Sequence, residues 1–268
     1  MKTNLLFTIG LALGASLFIS PACSQKTIVS HQMSQDSALN MVTVTAVKQS
    51  LDFPNAALSI SSMKTEKSGS DSVKFKVEYL VQNYELTKMT MDMNMEECAN
   101  SDKGQHIHYI LDNKPYVALY KPENTVSLAL NSEHYLLSFL SRSYHESLKN
   151  PAAAVLVHFK IDGQGNYVKL EGAAKPMIFY SRPKGEYTGK DTQNILLDFY
   201  VKNTTLSTTT HKVRLSINDR QFILTKWQPY FLKNVCLGKV KFKLELLDSE
   251  GNNLTGDNTT VERTVTLK

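Results

Sequence analysis

The sequence predicts an all-β protein: two tandem immunoglobulin-like β-sandwich domains behind a signal peptide. Three observations carry this. First, the ordered part is written twice, since residues 77–87, VEYLVQNYELT, align without a gap with residues 197–207, LDFYVKNTTLS. Val77 matches Leu197, Tyr79 matches Phe199, Val81 matches Val201, Asn83 matches Asn203 and Leu86 matches Leu206. Second, residues 73–77, 155–161, 213–217 and 240–246 alternate apolar and polar side chains, which is the period of a strand with one buried face. Third, Asp112-Asn113, Asp162-Gly163, Asn218-Asp219 and Glu250-Gly251-Asn252 are turn residues set between such runs. About seven short strands per copy fit a sandwich. The Cys-Trp-Cys core of antibody domains is absent, so only the architecture is implied. No long stretch keeps a helical period; a turn or two around residues 144–154 is the best helical candidate.

The elements follow in order. Met1-Lys2 is a short positive start, residues 5–19 are apolar apart from Thr8 and Ser16, and Ser20-Pro21-Ala22-Cys23 follows. This is the pattern of a secretory signal, too short for a comfortable membrane span. A Cys after Ala at its end resembles the bacterial lipoprotein signal, which makes Cys23 the lipidation site and leaves residues 1–23 as signal peptide. The expected location is therefore the periplasm or outer membrane, with the lipid anchor as the only membrane contact. Residues 24–51, polar and rich in Ser and Gln, read as a flexible tether. Domain 1 is placed at 52–162, a linker at 163–172 and domain 2 at 173–268. The net charge of +5 comes from spread lysines, a solvated surface rather than a nucleic-acid patch. Cys98 and Cys236 fall at non-equivalent places in the two copies and are expected to stay separate thiols.

Several strings are more specific. GQHIHYILDNKPY (104–116), SRSYHESLKNPAA (141–153), YSRPKGEY (180–187), LLDFY (196–200) and WQPYFLK (227–233) resemble a family of uncharacterised exported proteins of cyanobacteria and related Gram-negative bacteria. The resemblance spans nearly the whole mature chain and implies export and a two-copy β architecture, with no activity attached. The chain departs from the pattern at Tyr144, where the family more often has Trp, and in a Met-rich insertion.

What the copies do not share points to function. In copy one only, Met89, Met91, Met93 and Met95 recur at every second residue, and His106 and His108 follow, also two apart. On strands each set would share one face. Thioethers favour Cu(I) and imidazoles suit Cu(II) and Zn, so His106 and His108 with Met91, Met93 and Met95 form a candidate site for copper first and zinc second. Packing is the plain alternative, because Met fills irregular gaps. A third imidazole is open among His134, His145 and His158. The two Ser-Arg strings supply a second candidate, a recognition surface of Arg142, Tyr144, His145, Glu146, Arg182 and Tyr187 for an envelope protein, peptide or carbohydrate. The plain alternative there is a domain junction in which Arg182 pairs with Glu146. Ser143, His145 and Glu146 are hydrolase residue types, but they are too close in sequence, and no nucleophile elbow, P-loop or HExxH occurs. The expected function is a non-catalytic exported envelope protein that binds or scaffolds, with periplasmic metal binding as the alternative.

Overall fold

A computed structural model describes residues 41–171 and 174–268. The signal peptide, Cys23 and residues 24–40 of the tether lie outside these described residues. Strands occur at β1 (Thr43–Ala46), β2 (Ala57–Lys67), β3 (Ser72–Gln82), β4 (His106–Leu111), β5 (Val117–Leu119), β6 (Glu123–Ala129), β7 (Ser132–Ser141), β8 (Ala154–Ile161) and β9 (Tyr167–Lys169). Then come β10 (Met177–Arg182), β11 (Glu186–Tyr187), β12 (Asn194–Lys202), β13 (Lys212–Ile217), β14 (Arg220–Leu224), β15 (Tyr230–Lys233), β16 (Gly238–Leu247) and β17 (Thr260–Leu267).

They form four sheets, β2-β3-β6 and β5-β4-β7-β8-β9 in module 1, and β1-β15-β12-β10 and β11-β17-β16-β13-β14 in module 2. In each module the first, second and fifth core strands face a sheet whose order is fourth, third, sixth, seventh. That is an immunoglobulin-like sandwich written twice. The sequence repeat is a structural repeat: β3 and β12 are equivalent, and each is followed by an Asn in the left-handed region, Asn83 at φ 53° and Asn203 at φ 58°. Asn tolerates that conformation better than most residues.

Two expectations about connections are corrected. Residues 43–46, assigned to a flexible tether, form β1 and pair antiparallel with β15 of module 2. The stretch TVTA supplies β-branched residues, and Val42 and Val44 pack against the module 2 core. Residues 163–172, assigned to a linker, include β9, which pairs with β8 through Phe159–Lys169 and Ile161–Tyr167. Tyr167 stacks against Phe75 and so earns a place in the fold rather than a hinge. Among the described residues the helical content is limited to 3-10 turns, one of them at Pro151–Ala153 inside the expected 144–154 region. Cys98 is buried and Cys236 exposed, with no disulfide between them.

The two modules are not beads on a hinge. On β4, Ile107 and Tyr109 point into the module 1 core, while Ile110 joins a separate cluster with Leu137, Phe139, Met177, Phe179 and Tyr200. That cluster draws on both modules. On β12, Ile195, Leu197, Phe199 and Val201 fill the module 2 core, and the alternate residues Leu196 and Tyr200 turn to module 1. The period of two therefore buries both faces of the inner strands, one in its own sandwich and one at the junction. This is why β4 and β12 are buried almost end to end.

Candidate functional site at the module junction

Most of the junction is apolar, and within it lies a polar centre. The residues that face it from β4 are His106 and His108, in register with the outward-facing Ile110. Both are fully buried. Backbone geometry upstream sets their position. Gly104 sits at φ +78°, and a Cβ there would lie 2.2 Å from the Thr87 carbonyl oxygen, so this close approach needs glycine. Its carbonyl accepts a hydrogen bond from Nδ1 of His106 at 2.8 Å.

His145 comes from a tight turn after β7. The Arg142 amide donates to the Glu146 carbonyl and the His145 amide to the Arg142 carbonyl, each at 2.9 Å, with His145 itself at φ 70°. Its Nδ1 lies 3.0 Å from His106 Nε2, and His106 Nε2 lies 2.9 Å from His108 Nε2. One ligand atom from each of the three histidines fits within 4.8 Å of the other two. The set is flanked by Tyr116, whose ring stacks on His108 at 3.6 Å and 7° and whose hydroxyl lies 3.2 Å from His145 Nδ1. From module 2, Ser181 Oγ lies 2.9 Å from His108 Nδ1, and Lys184 Nζ sits 4.1 Å from the Tyr116 ring centre.

Burial is the main influence on these imidazoles, and the nearby Arg182 and Lys184 charges add to it. His106 is pushed down to about 4, and His108 and His145 are held well below the ordinary histidine range. All three are neutral at pH 7, with lone pairs available.

A second polar contact crosses the junction nearby. Lys149 Nζ lies 2.7 Å from Asp198 Oδ1 and 3.0 Å from the Phe199 carbonyl, and Ser147 Oγ donates to the same carboxylate oxygen at 2.9 Å. Asp198 is fully buried, while the Lys149 side chain is 22% exposed. The ammonium is boxed by the Tyr200 and Trp227 rings at 5.6 and 5.3 Å. Farther out, the Arg263 guanidinium donates to the carbonyls of Asn113 and Lys114, both at 3.0 Å.

The structure brings His106, His108 and His145 together and separates them from the methionines. Met91 and Met93 are 71% and 78% exposed, and Met95 packs by Tyr144 and Cys98 instead. No strand forms in the Met run. Asp92 caps a 3-10 turn at Met93–Glu96, its side chain accepting from the Asn94 amide, and Asn94 is buried against Ser50 Oγ. The local Asp92 cap, with the long-range Asn94–Ser50 bond, takes the place of strand pairing, so the common Met face does not exist.

The expected recognition surface is corrected as well. Arg142, Tyr144, His145, Glu146 and Tyr187 are buried. Arg142 pairs with Glu146 at 2.8 Å and donates to the Leu51 carbonyl, Tyr144 donates to Asp92 at 2.8 Å, and Arg182 donates to the Tyr187 hydroxyl at 2.8 Å. Arg182 therefore does not pair with Glu146. Residues missed in the sequence are Tyr116, Lys149, Ser181 and Asp198. Only Asp198 carried a signal, as one acid inside the apolar run ILLDFYV.

Ser143 exchanges hydrogen bonds with Thr90, not with His145. A Ser132–His134–Asp112 chain does exist at the β6–β7 turn, at 2.6 and 2.8 Å. The Ser132 hydroxyl donates to the Ala129 carbonyl at 2.6 Å. That proton is thus directed away from His134, which a general base would need to receive.

No family model and no curated protein matches this sequence. Among solved structures, it is similar to the fibronectin(III)-like modules of Clostridium thermocellum CbhA, at 9% identity and TM-score 0.25, covering 78% of this chain and 92% of that one. It is also similar to the two tandem V-type regions of VCBP3, a v-region-containing chitin binding protein, at 8% identity and TM-score 0.22, covering 80% and 99%. At these scores neither likeness supports any statement about function.

Proposed function

We propose that this chain is an exported, non-catalytic envelope protein that acts as a rigid two-module scaffold. The N-terminal pattern ending at Cys23 supports export and a lipid anchor. One observation carries the scaffold reading: the inner sheets of both modules pack face to face around the Asp198–Lys149 pair, whose carboxylate is fully buried. Independent modules on a flexible linker would leave that surface polar and solvated. Here the chain also crosses back, because β1 precedes module 1 in sequence yet completes a sheet of module 2.

A rigid body holds two outer sheets at a fixed separation, which is what a spacer or presenting element at a cell envelope requires. Calorimetry of the mature chain tests this. One cooperative transition, with calorimetric and van't Hoff enthalpies equal, is expected; two resolved transitions, one per module, would remove the reading.

A further inference from the structure

We propose that His106, His108 and His145 form a three-nitrogen site for a divalent transition-metal ion, zinc or copper(II), buried between the two modules. Gly104 offers only a carbonyl to His106 Nδ1, so that nitrogen carries the proton and Nε2 of the neutral ring carries one lone pair. That lone pair meets two other ring nitrogens, at 2.9 and 3.0 Å. It can accept one well-aimed hydrogen bond. If His108 donates it, His145 Nδ1 faces a lone pair already in use. Three buried ring nitrogens thus converge on one point, where the Tyr116 hydroxyl, 3.2 Å from His145 Nδ1, offers that nitrogen a further hydrogen-bonding partner.

A metal ion would use this convergence directly. Each ring turns a lone pair inward, through His106 Nε2, His108 Nε2 and His145 Nδ1. Two of the three outer nitrogens then find acceptors already in place: His106 Nδ1–H donates to Gly104 O, and His108 Nδ1–H to Ser181 Oγ. A second N–H bonded to a carbonyl or other acceptor is the usual support for a ligating imidazole. The spacing fits as well. Two metal–nitrogen bonds of about 2.05 Å that end 2.9–3.0 Å apart subtend about 90°. In a tetrahedral site these pairs would open to about 3.3 Å, and the His108 and His145 nitrogens, within 4.8 Å of each other, would have to stand at that same separation.

The donor set selects the ion. Three imidazoles without a carboxylate suit zinc and copper(II), not calcium or magnesium, which take oxygen ligands. Arg182 and Lys184 stand nearby, so an anion or the oxygen side of Tyr116 fits the remaining coordination position better than another neutral ligand. The exposed methionines take no part.

This proposal is independent of the scaffold reading, because its test measures ion binding and not module coupling. Metal-stripped mature protein is titrated with Zn(II) in competition with a chromophoric chelator, and with Cu(II) followed by electron paramagnetic resonance. Wild type should bind one ion per chain, and the Cu(II) spectrum should show coupling to three nitrogens. His106→Gln and His145→Asn should each abolish the saturable site. Ser181→Ala, which removes only the supporting acceptor, should weaken binding about 10- to 100-fold. Unfolding curves recorded in chelator show that each variant is folded. A wild type with no saturable binding overturns the proposal, and so does binding undiminished in both histidine variants, since other histidines then hold the ion.

Discussion

Replacing Lys149 with Met is the sharpest perturbation of the junction. The Nζ–Oδ1 separation of 2.7 Å gives a gross attraction of about 6 kcal/mol at an effective dielectric near 20, much of it offset by taking both charges out of water. The net cost of the substitution is set by what it strands. Asp198 is wholly buried, its Oδ2 has no hydrogen-bond partner, and Oδ1 would keep only Ser147. An uncompensated buried charge of this kind costs about 3–5 kcal/mol. At about 2–4 °C per kcal/mol for a chain of this size, the midpoint should fall by roughly 6–20 °C. Lys149→Met/Asp198→Leu removes both charges and should recover most of the loss, because a well-packed apolar pair often replaces a buried ion pair without penalty. The assay is urea and thermal unfolding of wild type, both single variants and the double variant. A single Lys149→Met loss under about 1 kcal/mol, or a double variant no better than the worse single one, would refute the reasoning.

Three further predictions concern other parts of the chain. The three junction histidines are depressed in the fold, so the unfolded chain binds more protons as pH falls below about 6.5. Their share of stability is complete above that pH and is lost toward and through about 4, where His106 titrates. At about 1.4 kcal/mol per pH unit, His106 alone contributes about 3 kcal/mol; a His106→Gln variant should therefore show a flatter unfolding profile between pH 6.5 and 4.5, and parallel profiles would contradict this. A chain beginning at residue 48 loses β1, the Val42 and Val44 contacts and the cover on β15. It should lose about 2–3 kcal/mol and self-associate in sedimentation through the bared sheet edge, whereas an unchanged monomer would refute the role given to β1. Met91→Ser/Met93→Ser should lie within about 0.5 kcal/mol of wild type and leave zinc titration unchanged; a lost ion would return the Met run to the site.

The outline of the fold was legible in the sequence because the strand period and the internal repeat are local signals. Asn83 and Asn203 mark the same turn in both copies, and the alternation in residues 73–77 and 240–246 names the core face. Where the reading departs from the structure, long-range partners decide. Residues 43–46 look like tether until β15 is beside them, and residues 167–169 look like linker until Tyr167 meets Phe75. The Met run has the spacing of a strand, yet the Asp92 side chain accepts from the Asn94 amide and caps it as a 3-10 segment. His106 and His108 were visible as a pair two apart. His145 was one of three equal choices, since only the turn at 142–146 folds it back onto β4. The two Ser-Arg strings look like surface because their polarity is plain, and the partners Leu51 and Asp92 of the first are not visible from sequence spacing. Ser181 and Lys149 acquire meaning only when the second module arrives.

The most direct test of the junction histidines is anomalous diffraction at the zinc edge from a zinc-soaked crystal of the mature chain. A single strong peak is expected between β4 and the 142–146 turn, about 2.0–2.1 Å from His106 Nε2, His108 Nε2 and His145 Nδ1. A blank map at that position, or zinc only at other histidines such as His158, would contradict it.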